Sequence, residues 1–465
     1  MCAETIAAAG IVSPVRLAVL TALAFVLVVP AAARAEGVPG TLGAASAKLA
    51  VAPDGTPRVA AIVGGRLVLA SRSATAGWSS QLAPKLPTTS AFVAGVAVAP
   101  GGRVDVLVEE AQGSWLALVQ RRAAGWQTHV IVRKLTKRGV LGVAGLALDH
   151  AGRPVVAYAV GYPTRKTWLR LVRVDARGRY VTTGITKLGF PPSDSVPSAA
   201  PVVLPNGRVR VVETYSSAAI EWATKGPKSR VWQGQFLFTS PLGSPAGPVA
   251  AAAATPGVWS CWTELYPDFA ESHIVLALHR DDERSTVLAN HAYLVGLVAT
   301  SAGAEVAADD YVDGSVVGGS PSAFDYAGLL LSSSGQTVEL AEQIEGYALE
   351  PDGGRQLLLV GPAGLEWYET PSLPSVTVNL TGAPVAGGVG LSGRVAGATG
   401  GSVQLLRERP GEAPVLVATV PLAADGSFSA VDSAPPSLSL YRAVYRTAPD
   451  GVPFGSLLRA PVKAG

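Results

Sequence analysis

Leu146-Ala-Leu-Asp-His-Ala-Gly152, followed by Pro154-Val-Val-Ala-Tyr158, decides the fold of this chain. An apolar stretch runs into a glycine-centred turn, and a Val-rich stretch leads out of it. Glycine suits that position because a tight hairpin needs positive φ, which Gly adopts without a Cβ clash. The pattern continues through Trp168–Val174, a turn at Ala176-Arg-Gly178, and Tyr180–Ile185, so the unit reads as four antiparallel strands.

The unit recurs along the chain. Its copies are Leu49-Ala-Val-Ala-Pro-Asp-Gly55, Val96-Ala-Val-Ala-Pro-Gly-Gly102, Pro201-Val-Val-Leu-Pro-Asn-Gly207, Ala251-Ala-Ala-Ala-Thr-Pro-Gly257, Leu297-Val-Ala-Thr-Ser-Ala-Gly303 and Tyr347-Ala-Leu-Glu-Pro-Asp-Gly353. The seven anchor glycines fall 47, 50, 55, 50, 46 and 50 residues apart. Four strands repeated at that period match a propeller blade. A β-solenoid has a shorter period, and separate sandwich domains need about 90 residues each. Seven anchors predict seven blades between residues 36 and 370.

The strand, turn and Val-Ala-Tyr pattern of Leu146–Tyr158 resembles the NHL-type and sialidase-like repeats of secreted bacterial propellers. The resemblance covers roughly residues 40–370 and implies architecture, because such propellers include enzymes, binding modules and scaffolds. The Ser-x-Asp-x-Gly-x-Thr-Trp box and arginine triad of sialidases have no convincing counterpart here.

Thr370-Pro-Ser-Leu-Pro374 combines prolines with small residues, so 371–374 reads as a linker. Beyond it, 375–465 alternates apolar and polar residues through Val376–Leu380, Val389–Val395, Gly401–Leu406, Pro414–Val420, Gly426–Ser429 and Leu440–Tyr445. Some 90 residues of this kind suit a β-sandwich. The Ser-Gly-Arg-Val, Ala-Asp-Gly-Ser-Phe and Tyr-Arg-Ala-Val-Tyr pieces at 392, 424 and 441 resemble bacterial Ig-like modules, which implies a spacer or an adhesion unit. The expected fold class is all-β, a seven-bladed β-propeller plus a small C-terminal Ig-like β-sandwich.

At the N-terminus Arg16 precedes the apolar run Leu17–Val29, and Ala33-Arg34-Ala35 stands before Glu36. This reads as a secretory signal over 1–35, cleaved after Ala35. The apolar run is about 13 residues, short of the roughly 20 that span a bilayer, so no membrane span is expected after cleavage. The expected location is secreted, extracellular or associated with the cell envelope. The mature chain then keeps Cys261 alone, in the apolar strand Val258-Trp-Ser-Cys-Trp262, where a buried inert thiol is expected.

Thirty-seven Lys and Arg against 34 Asp and Glu give a formal charge of +3, too little for a nucleic-acid footprint. The basic stretch Arg133–Arg138 reads as a solvated turn. Five histidines lack the pairing that holds zinc, and no nucleophile elbow or phosphate loop stands before a helix. One constellation remains. Six to eight residues after the anchors come Glu109, Glu110, Glu213, Glu264, Asp309 and Asp310, with Tyr158 in the third repeat. If the second strand ends there, four blades present carboxylates around one channel mouth. Such a rim could bind Ca²⁺ through oxygens, bind sugar hydroxyls, or supply a glycosidase acid/base pair. Tyr215, Trp262 and Tyr266 stand near the same loops and favour sugar or peptide contact. No cofactor is required by the sequence. The reading is a monomeric, non-catalytic binding or scaffold protein whose rim meets an extracellular glycan, cell-wall component or protein. The alternative is a glycan-active enzyme, a hydrolase or lyase, with its carboxylates at the mouth.

Overall fold

The computed structural model describes residues 34–465 except 111–112, 134, 136–139, 163–164, 189–197, 216–217, 225–230, 240–243, 255–256, 266–271, 280–285, 291, 314–322, 362, 373–375, 399, 410–413, 434, 436–438, 449–450, 458–461 and 463–465. The signal-peptide stretch 1–33 and Tyr266 lie outside the described residues, as does most of the basic stretch at 134–138.

Each anchor glycine joins the first two strands of a four-stranded antiparallel meander. The third repeat is Gly145–Leu148, Pro154–Tyr162, Arg165–Val174 and Tyr180–Leu188, longer than its sequence pattern suggests. Gly55, Gly102, Gly152, Gly207, Gly303 and Gly353 take φ between 70° and 142°, which only glycine adopts without strain. The turn amides close back onto the strand before them, as Gly152 N–H does onto Asp149 O at 2.7 Å.

Burial follows strand position. The second and third strands are packed on both faces, so Val104–Glu110 and Leu116–Arg122 are nearly all buried, while fourth strands such as Gly77–Leu82 are exposed. The apolar clusters lie between successive meanders. One joins Ile62 and Leu69 of the first repeat to Val106 and Trp115 of the second; another joins Leu358 and Trp367 of the last repeat to Val59 and Ala61 of the first. First strands contact first strands in order, Ala44–Val51 with Ala91–Val98, onward through Gly145–Leu148, Ser198–Val203, Ser244–Ala253 and Ala292–Thr300 to Ile344–Leu349, which touches Ala44–Val51 again. The chain therefore folds as a β-propeller, a ring of sheets with first strands at the axis. Its last sheet takes its outer strand from the other end of the chain, Arg34–Gly37 pairing antiparallel with Gly364–Thr370. The expected cleavage after Ala35 falls inside that strand and leaves Glu36, which holds Arg72 through two hydrogen bonds of 2.8 and 2.9 Å.

The C-terminal segment forms two facing sheets. Thr377–Val385, Gly388–Ala396 and Ser427–Asp432 make one; Ser402–Glu408, Val415–Pro421, Leu440–Arg446 and Pro453–Leu457 make the other. The second sheet continues into the sixth repeat, where Phe454 pairs with Leu340 and Ala341 N–H donates to Pro453 O at 2.8 Å. Arg446 bonds Glu342 at 2.7 Å and the Tyr368 hydroxyl at 3.1 Å, and one apolar cluster runs through both bodies. The expected linker 371–374 lies partly outside the described residues; beyond it the C-terminal segment packs on the propeller, the free edge of Thr337–Leu340 being covered by Pro453–Leu457. Among the described residues no helix is long and apolar enough to cross a membrane.

Close approach at the axis depends on missing side chains. A Cβ on Gly145 would lie 2.5 Å from Ala199 O and 2.6 Å from Pro201 Cδ, whereas one on Gly184 meets nothing within 4 Å. Gly145→Val is expected to destabilise the protein by about 3 kcal/mol or more, and Gly184→Ala to stay within about 0.5 kcal/mol of wild type, in chemical denaturation.

Candidate functional site

The carboxylates expected on an exposed rim are inside the ring. Glu109, Glu213, Asp309 and Asp310 are buried, and Tyr158 sits in the apolar cluster between the second and third repeats. Glu110 is partly buried and accepts from the Ser114 hydroxyl. Glu264 lies on the second strand of the fifth repeat, paired with His273, and its side chain lies outside the described residues, as does that of Tyr215. Trp262 is fully buried. The second strands of the second, fourth and fifth repeats do end at that register, at Glu110, Tyr215 and Leu265, but Glu109, Glu213 and Asp309 are still within their strands and are buried in place of standing on a rim.

Their partners explain why acceptors recur at that register. Glu109 Oε2 accepts from the Ala144 N–H at 3.1 Å, Thr263 Oγ1 from Leu294 N–H at 2.9 Å, and Asp309 Oδ1 from Ile344 N–H at 2.7 Å. In each case a second-strand side chain of one repeat takes a backbone proton at the start of the next repeat's first strand. First strands pair on one side only, so these amides have no ladder partner and need an acceptor when buried. Leu294 and Ile344 also immediately precede a bulge, a shift in pairing that re-aims the strand. Ser46 Oγ with Val93 N–H at 3.0 Å, and Glu345 Oε2 with Ala47 N–H at 3.1 Å, make the same kind of link. On the turn side, Arg103 reaches Gly152 O, Gln356 Nε2 donates to Gly55 O at 2.9 Å, and His150 bonds Leu204 O at 2.8 Å. His150 is thereby a satisfied structural histidine. Cys261 is fully buried, which pushes its thiol up, away from the thiolate.

Burial also sets the ionisation of these struts. Glu109 is pushed up to about 8 by desolvation, with the Ala144 N–H pulling the other way. Glu213, whose Oε1 accepts from Trp222 Nε1 at 2.7 Å, is pushed up to about 7 by the same cause. Among the described residues no group of three His, Cys, Asp or Glu side chains could hold a metal ion.

First strands of every repeat line an axial channel of about 480 Å³. Its wall is mostly apolar, with Leu49, Phe92, Val96 and Leu297 among the lining residues. One level of the wall is nearly without side chains. Seven residues before the anchors stand Gly95, Gly145, Ala200, Ala250, Gly296 and Gly346, but in the first repeat that position is Lys48. Its ammonium donates to Val295 O at 3.4 Å, and Glu345 lies on the same wall. Desolvation holds the amine below its ordinary value against the opposing charges of Glu345 and Asp309. Glu345 is pushed up, chiefly by burial, against the pull of Lys48 and the Ala47 N–H. The sequence reading missed this pair, although aligning the repeats at their anchors displays Lys48 as the exception in a Gly/Ala column.

No protein-family model matches the chain, and no curated protein matches it. Solved structures similar to it include AofleA from Arthrobotrys oligospora, at 10% identity and TM-score 0.41, covering 67% of this chain and 91% of that one. An alpha-L-arabinanase of Penicillium chrysogenum complexed with arabinobiose is similar at 11% identity and TM-score 0.39, covering 71% and 93%. The fungal Aleuria aurantia lectin, of six-bladed β-propeller fold, is similar at 12% and 0.37, covering 71% and 96%. Likeness at these scores assigns neither blade number nor ligand.

The raised carboxyls predict a pH dependence. Free Glu ionises near 4.5, so between about 4.5 and 7 folded Glu213 keeps a proton that the unfolded chain has released, and stability falls as pH rises through that window. Glu109 extends the window to about 8. Thermal unfolding is expected to show stability decreasing from pH 5 to pH 8, and Glu213→Gln, which keeps an acceptor for Trp222, to remove on the order of 1–3 kcal/mol of that decrease. Glu109→Ala should cost about 1–3 kcal/mol at pH 5 by leaving the Ala144 N–H without an acceptor.

Proposed function

We propose that this chain is a secreted, monomeric, non-catalytic binding or scaffold protein. In this reading it is a seven-bladed propeller carrying an Ig-like sandwich, and it seats part of an extracellular glycan, cell-wall component or protein in its axial channel. The observation that carries the reading is that Lys48 and Glu345 both stand on a wall that is mostly apolar and, at the level of Lys48, is elsewhere reduced to Gly and Ala. A partly desolvated charge raises the free energy of the fold unless something compensates it. A ligand with a polar terminus and an apolar or sugar-ring body complements such a wall, with Lys48 donating and Glu345 accepting. The buried acidic residues of the second strands support binding over turnover, because Glu109 and Asp309 are engaged in joining repeats.

The test is a glycan and cell-wall array probed with the mature protein and with Lys48→Met. Wild type is expected to retain a ligand and release no cleaved product. Lys48→Met should lose at least about tenfold in affinity while keeping or raising the unfolding temperature, since an apolar side chain replaces a desolvated charge. Retention of nothing by the wild type, or equal retention by the variant, sinks the reading.

A further inference from the structure

We propose that the cleft between the first and second repeats is a binding site for an acidic polysaccharide, recognising its carboxylate or sulfate groups. The site rests on the binding-protein reading but lies away from the axial channel and shares none of its lining residues.

The cleft, about 520 Å³, opens where the first strand's turn Gly101–Gly102 and the second repeat's third strand face the side of the first repeat. Four guanidinium groups line it, from Arg58, Arg103, Arg121 and Arg122. One of them is neutralised: Arg103 holds Asp105 at 2.7 Å. The others bond uncharged oxygens. Arg58 donates to Thr56 Oγ1 at 2.9 Å, Pro57 O at 2.8 Å and Arg72 O at 3.1 Å. Arg121 Nε donates to Gln81 Oε1 at 2.8 Å, across from the second repeat to the first, and Arg122 Nη2 to Gln120 Oε1 at 2.7 Å. Asp54 at the turn tip is engaged with Thr56, and its charge reaches Arg58 without a direct bond. These hydrogen bonds fix the direction of each side chain and leave Arg58, Arg121 and Arg122 without a carboxylate bonded to them, the arrangement an oxyanion fits.

The repeat architecture supplies an internal control. The fourth repeat has a hollow of about 560 Å³ lined within that repeat alone, with Arg208 and Arg210 at the positions one and three after Gly207. There Arg210 pairs with Glu221 at 2.8 Å. In the first repeat Arg58 stands three after Gly55, and the residue corresponding to Glu221 is Leu69; each sits two positions before the third-strand residue opposite its arginine. The carboxylate that pairs with the arginine in the fourth repeat is thus replaced by an apolar side chain in the first.

Acidic polysaccharide is favoured over a compact anion because the guanidiniums come from two repeats, Arg58 from the first and Arg103, Arg121 and Arg122 from the second, so that successive acid groups of one polymer can meet separate cations. The experiment is titration calorimetry of the mature protein with polygalacturonate, with dextran sulfate and with neutral dextran, at about 0.1 M salt. Either acidic polymer, but not dextran, is expected to bind. Arg121→Gln/Arg122→Gln should weaken that binding at least about tenfold, and adding Arg58→Gln should weaken it further. A charge-matched control, Arg66→Gln/Arg394→Gln, removes two exposed arginines outside the cleft, one at the far end of the first repeat's third strand from Ser71 and one in the C-terminal sheets, and should change affinity less than about twofold. Preference for polygalacturonate or for dextran sulfate identifies the acid group. Equal weakening by the control pair, no weakening by the cleft variants, or binding of neither acidic polymer overturns the proposal. Lys48→Met is expected to leave acidic-polymer binding intact, so acidic-polymer binding by a protein whose channel retains nothing, or whose channel binding survives Lys48→Met, refutes the channel reading alone.

Discussion

The structure depends on one constraint: the first strand of every repeat has a free edge, and all of those edges converge on one axis. A buried N–H without an acceptor is costly, and a strand edge presents a row of them. Among the described residues the ring meets this need locally, with side-chain acceptors for several of the amides near the first strands. Ser46, Glu109, Thr263, Asp309 and Glu345 all serve in this way, each across a boundary between repeats. Between the third and fourth repeats the backbone does it directly, Ala199 N–H donating to Val143 O at 2.9 Å. Hydroxyl and carboxylate are interchangeable as acceptors, which is why the position keeps its role while its residue type varies.

The same edge problem arises at the outer strands, and the chain ends resolve two cases. Arg34–Gly37 completes the last sheet, and Trp367 beneath it is met edge-to-face by Trp78 at 5.9 Å and covered by the Arg72 guanidinium at 4.6 Å. Ring closure and the ion pair Arg72–Glu36 are thus parts of one cluster. Pro453–Leu457 covers the outer strand of the sixth repeat, and the residues of that junction are charged and aromatic. Glu342 in it is pushed up to about 7, burial outweighing its bond to Arg446. Sandwich and propeller therefore meet through hydrogen-bonded strands and a shared core, which fixes their mutual orientation.

Where charge is not needed for closure, it marks surfaces available for recognition. Lys48 fills a level of the channel that other repeats leave empty, and the arginines between the first and second repeats lack the acid that the fourth repeat provides. Both departures are visible only against the regularity of the repeat, because repetition with small variation turns each exception into a signal. Acidic residues that follow the rule have a structural explanation; basic residues that break it do not.

Composition and spacing alone determined much of this protein. Period, anchor glycines and two-faced apolar strands follow from backbone geometry and side-chain volume, which are local properties, so the four-strand meander was legible from Leu146–Ile185. The strand limits were less legible, and with them the site. Glu109 and Asp309 read as rim carboxylates because a charged residue at a strand end is normally solvated. Only the packing of one repeat against the next decides that these positions are interior and that a backbone amide waits there. Lys48 was present in the sequence as a broken column, yet its meaning required the ring, since residues 48, 295 and 345 come together through closure and not through any local pattern. The difference is physical. Hairpins are set by torsional preference over a few residues, whereas desolvation and charge pairing depend on which distant strands share a boundary.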